Sequence, residues 1–143
     1  MTGQILLGLA LMAVSVVIQV IAVVAAVRYL IGLEGWAEPG AGMWPDVGAL
    51  SSVMVMLFVG HLVQIGLWAW LFLLLGEFTD FGTAYYHSAV NFASLGYGDI
   101  VMSEGRRLLG ALEAGSGVLM FGLSAAAMFA VLSKMLGVRW GKR

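Results

Sequence analysis

The sequence predicts an all-α integral membrane protein: three spanning helices, with a short re-entrant helix and an irregular loop between the second and third. Three observations predict it. The 143 residues are 62% hydrophobic and 10% charged, with a mean hydropathy of +0.99. A soluble domain of this size needs a far more polar surface. Apolar stretches at residues 4–27, 50–75 and 108–136 each reach the ~20 residues a helix needs to cross a bilayer. Between the last two lies Asn91-Phe92-Ala93-Ser94-Leu95-Gly96-Tyr97-Gly98-Asp99-Ile100. Its two glycines allow backbone angles that other residues avoid. Irregular backbone at membrane depth survives only where protein buries it or where it lines a watery passage.

The first element, residues 1–30, carries only Ser15 and Gln19 as polar residues within its apolar part, and Arg28 closes it. A cleaved signal peptide is the rival, but a basic start is missing and the apolar part is too long. Residues 31–49 read as a cytoplasmic or interfacial loop. Glu34, Glu38 and Asp46 are acidic, Pro39 and Pro45 interrupt a helix, and Trp36 and Trp44 suit a membrane boundary. The second span, 50–76, holds His61 and Gln64 in its middle. Thr79 or Asp80 can cap a short helix over 82–93. That helix is too short to span, and its negative dipole end would point into the membrane centre. Irregular backbone follows at 94–99, then the third span at 107–136 and a basic cytoplasmic tail at 137–143.

Charge and composition narrow the function. A net charge of −1 argues against a nucleic-acid partner. The absence of cysteine excludes disulfides and thiolate metal sites, and His61 and His87 are too few for a convincing metal centre. Placing Arg28, Lys134, Arg139, Lys142 and Arg143 inside, against Arg106 and Arg107 outside, gives a cytoplasmic C-terminus and an external N-terminus. Glu77, Asp80, Asp99 and Glu104 would then ring an outer mouth and concentrate cations.

Ser94-Leu95-Gly96-Tyr97-Gly98-Asp99, behind Ala84-Tyr85-Tyr86-His87-Ser88, resembles the selectivity-filter signature of the potassium channel pore family. The resemblance covers residues 50–136 as a pore module: outer helix, pore helix, filter and inner helix, here with an additional N-terminal transmembrane helix. Ser94 stands where the family usually has Thr, and Leu95 where it usually has Val; neither change removes an oxygen. The resemblance implies a tetrameric potassium channel pore fold in the plasma membrane. K+ would be held by the carbonyls of Ser94, Leu95, Gly96 and Tyr97 and by the Ser94 hydroxyl. Gly96 and Gly98 let carbonyls point inward, Tyr97 would pack outward on Tyr86 or His87, and Asp99 would cap the outer end. One chain supplies one quarter, so a homotetramer is expected. The implied function is passive K+ conduction, with no enzyme activity and no cofactor beyond the permeant ion.

The third span resembles the family's inner helix. Gly117 is the expected hinge. Val118, Phe121, Ala125, Phe129 and Leu132 share one face and would line the cavity and gate, or else form a packing stripe. Glu113, the one acid inside that helix, should lie behind the filter and bond to the pore helix, with Asn91, Ser88 or Tyr86 as candidates. His61 and His87 are expected neutral, with pH sensing as the alternative. Rival functions are a nonselective monovalent cation channel, a non-conducting accessory subunit, and an intramembrane aspartyl protease, whose Gly-x-Gly-Asp would need a second intramembrane aspartate. No arginine ladder predicts a voltage sensor and no ligand-binding domain is expected after Gly137, so a separate regulatory subunit is possible.

Overall fold

The computed structural model describes residues 2–33 and 42–140, which form four α-helices: α1 (Thr2–Gly32), α2 (Met43–Leu74), α3 (Phe81–Phe92) and α4 (Arg107–Trp140). Three of them, over Thr2–Gly32, Met43–Leu74 and Arg107–Gly137, are long and apolar enough to cross a membrane. At 1.5 Å per residue, the 31 residues of α1 extend about 46 Å, more than the ~30 Å of a hydrocarbon core. Part of the expected 31–49 loop and the end of the expected tail fall on residues 34–41 and 141–143, outside the described residues.

α2 starts earlier than the expected residue 50. Pro45 sits in its first turn, where the missing N–H has no intrahelical partner to lose, and Asp46 beside it suits the positive end of the helix dipole. Reading Pro45 as a breaker overlooked this tolerance. α4 likewise runs past residue 136.

Two helix ends are built alike. At the end of α2, Gly76 N–H donates to Leu73 and Glu77 N–H to Phe72, with Gly76 at φ 72°. At the end of α3, Ser94 N–H donates to Asn91 (2.8 Å) and Leu95 N–H to Val90 (2.9 Å), with Ser94 at φ 57°. The left-handed residue in this turn is usually glycine. At the start of α3, Asp80 takes the capping role, its carboxylate accepting from Thr83 N–H at 2.9 Å.

α1 packs on α2 and α4, and α3 is wedged between α2 and α4. Apolar burial falls in two clusters. Trp68, Phe72, Phe92, Leu109 and Met120 surround α3, while Ala26, Leu30, Val53, Leu57 and Val131 fill the opposite end. Leu6, Val17, Ile21, Val55 and Phe58 stay exposed, as side chains solvated by lipid would.

Candidate functional site

The site is the exposed run at residues 94–99, carried on the C-terminal end of α3. Ser94, Gly96 and Gly98 have φ of 57°, 61° and 76°, whereas Leu95 and Tyr97 between them do not. In a strand, successive carbonyls point to opposite sides. Positive φ at every second residue breaks that strand pattern and re-aims the peptide planes along the run. Within the protomer Leu95 is 55% and Tyr97 66% exposed, so the run's outward surface has no cover from its own chain.

The back of the run is tied down. The Ile100 carbonyl can only accept, so His87 Nδ1 donates to it at 3.1 Å. His87 Nε2 then accepts from Asn91 Nδ2 at 2.9 Å, and the same amide donates to Glu113 Oε2 at 3.2 Å. The chain Glu113, Asn91, His87, Ile100 thus requires a neutral imidazole. Of the candidate partners for Glu113, Asn91 makes the hydrogen bond and the buried Ser88 hydroxyl also interacts with the carboxyl, while Tyr86 is engaged with Asp99. The Tyr86 hydroxyl donates to Asp99 Oδ2 at 2.7 Å. That bond holds the Asp99 carboxyl below its ordinary range and pushes the Tyr86 phenol up.

A second clasp closes the loop from outside. Glu77 accepts from Ser103 N–H (2.9 Å), Ser103 Oγ (2.7 Å) and Arg106 (2.9 Å), and Arg106 also bonds to the Leu75 carbonyl. Burial pushes the Glu77 carboxyl up, but the Ser103 and Arg106 bonds outweigh it and hold the group below its ordinary range. With a side chain only 5% exposed, Glu77 is committed to this clasp and does not join a ring of acids at a mouth. Glu104 instead pairs with Arg107 at 3.3 Å on the surface.

α4 supports the run directly. A Cβ at Gly117 would lie 2.7 Å from the Phe92 carbonyl carbon and closer still to its oxygen, so only glycine lets the two backbones meet here. α4 runs unbroken through this position. Val118, Phe121, Ala125, Phe129 and Leu132 are all exposed on the protomer. The last four share an apolar groove of about 490 Å³ with Phe58 and His61 of α2. Phe121 also packs tilted against His61 (4.6 Å between ring centres) and edge-on against Phe92 (5.7 Å), which joins this face to the end of α3.

Sequence reasoning missed the Gly117 to Phe92 contact, the left-handed Ser94 and the Glu77 clasp. The clasp had a signal in residue type alone, since an acid at the start of the loop and an arginine at its end are natural partners, but four acids and two arginines there left the pairing open.

A family described as ion channel matches residues 50–134, covering α2 beyond its first two turns, α3, the run and most of α4. No curated protein and no solved structure matches the chain.

Proposed function

Because the chain belongs to the ion-channel family, we propose that it conducts potassium ions passively across the plasma membrane, through a narrow axis where four copies of residues 94–98 meet. The observation that carries this reading is the alternation of φ at Ser94, Gly96 and Gly98. A dehydrated K+ needs replacement oxygens on all sides, and carbonyls aimed one way from each of four chains supply them. One chain can wall only one side, and cyclic symmetry is the usual way to close such a ring.

Ser94 fits the same reading. A residue with a Cβ in the left-handed region costs about 1–2 kcal/mol relative to glycine, a strain retained where the side chain has work to do. Its hydroxyl adds an oxygen at the inner end of the run. α3 re-enters from the outer side, so the negative end of its dipole faces the ion path. Asp99, steadied by Tyr86, stands at the outer end, and Phe129, 70% exposed on α4, forms the inner constriction. The distribution of basic residues supports a cytoplasmic C-terminus and an external N-terminus.

Purified protein in liposomes tests the proposal. K+ efflux well above Na+ efflux is expected. Equal fluxes would favour a nonselective cation channel, and no flux of either ion would favour an accessory subunit.

A further inference from the structure

The additional helix α1 meets the pore-lining helix α4 through a hydrogen-bonded chain at the middle of the spans, buried on α1 and α2 and partly buried where it reaches α4. Gln64 Nε2 of α2 donates to Gln19 Oε1 at 2.7 Å, and Gln19 Nε2 donates to Ser124 Oγ of α4 at 2.7 Å. Ser124 Oγ also lies 3.1 Å from His61 Nε2 and 3.0 Å from the Met120 carbonyl. Gln19 and Gln64 are fully buried and His61 is 4% exposed, so water does not compete for these three side chains, while Ser124 is partly buried at the edge of the apolar groove. Gly60 makes room for the arrangement, since a Cβ there would come within 3.1 Å of Gln19 Oε1 and 3.2 Å of Ala22 Cβ. Gln19 is therefore held at both ends of its amide, between α2 and α4.

The position of the contact along α4 gives it a consequence. Above it, Gly117 is seated on the Phe92 carbonyl, which fixes the upper part of α4 to α3. Gly122 lies between the two attachments, and nothing in the protomer approaches the place where its Cβ would be, so packing within the chain does not explain that glycine. A bend at Gly122 that swings the cytoplasmic half of α4 away from α1 breaks the Gln19 to Ser124 bond. Ser124 bonds toward α1 and α2 at the edge of the groove that Phe129 and Leu132 line, and Phe129, Leu132 and Val118 are exposed. In a ring of four copies those apolar side chains border an aqueous passage, and burying them against one another draws the helices inward.

We propose that Gln19 is a positioning residue that tethers the inner helix to α1 at Ser124 and holds its cytoplasmic half back from the axis, keeping the passage open. The inference rests on the channel reading above. Hydrogen bonds between membrane helices average ~0.6 kcal/mol, so losing one shifts the balance about threefold per subunit, and roughly sixtyfold when four subunits move together.

The test uses the full chain in liposomes, with Gln19→Leu, Ser124→Ala and the double variant, each checked for assembly by gel filtration. Expected are K+ fluxes lowered between about threefold and sixtyfold in both single variants, no further loss in the double variant, and an unchanged K+ to Na+ ratio, because the filter lies beyond Gly117. A shared selectivity change, or losses that multiply in the double variant, would mean general damage and would overturn the tether. Wild-type flux in assembled Gln19→Leu or in assembled Ser124→Ala overturns it as well. Absence of K+ flux from the wild-type protein overturns the channel reading and this inference together.

Discussion

Replacing Gly117 with alanine probes the close approach of α4 to the backbone at the end of α3. The new Cβ would stand 2.7 Å from the Phe92 carbonyl carbon, against an optimal carbon contact of ~3.5–4.0 Å, so α4 and the end of α3 must separate by about 1 Å. The obstacle is backbone, and no side chain can rotate out of the way. Overpacking of this kind costs about 1–3 kcal/mol, equivalent to a roughly 5- to 150-fold depletion of the native arrangement. The displaced carbonyl lies two residues before Ser94, so the loss falls on ion conduction and K+ to Na+ discrimination. The assay is paired K+ and Na+ flux in liposomes, with thermal unfolding measured in detergent. Gly115→Ala is the matched control, since nothing lies within 4 Å of its Cβ position and alanine favours a helix by ~0.5–1 kcal/mol. Wild-type flux and selectivity in Gly117→Ala would refute the argument that α4 seats the filter through this contact.

Ser94→Gly relieves the left-handed serine, so thermal stability is expected to rise by about 1 kcal/mol while K+ to Na+ discrimination falls with the lost hydroxyl. Tyr86→Phe removes the bond that depresses the Asp99 carboxyl; on acidification the variant should therefore lose K+ flux at a higher pH than wild type. Glu77 has a folded-state carboxyl below its ordinary 4.5, so its contribution is complete above that pH and fades as pH falls through the lower folded value. Melting curves of wild type should show that acid loss; Glu77→Gln should lack it and be less stable at neutral pH by ~2 kcal/mol.

What the sequence disclosed and what it hid divide along physical lines. Long apolar stretches announce spanning helices because the bilayer demands length, and Gly96 and Gly98 mark irregular backbone because their conformational freedom is written in the residue type. A cap before α3 was legible for the same reason, as Thr79 or Asp80, and the backbone decides for Asp80. The left-handed Ser94 was hidden because serine rarely adopts that conformation and is chosen there against its local preference. Gly117 was visible as a glycine, but whether its missing side chain serves bending or close approach depends on which backbone lies opposite. Gln19, Gln64 and His61 stood out as polar residues in apolar spans, yet their partnership through Ser124 depends on helix register. The site residues of the run follow from local pattern, and their supports follow from packing.

The clasp of Glu77 on Ser103 and Arg106 has a further consequence for how this protein can be re-engineered. It buckles the chain immediately before α3 to the chain immediately before α4, so everything in between forms a loop whose two feet are already joined. Such a segment is a natural graft. Chimaeras cut outside the buckle carry its geometry into the recipient, whereas those cut inside it leave a buried carboxylate stranded and the transplanted loop without its frame.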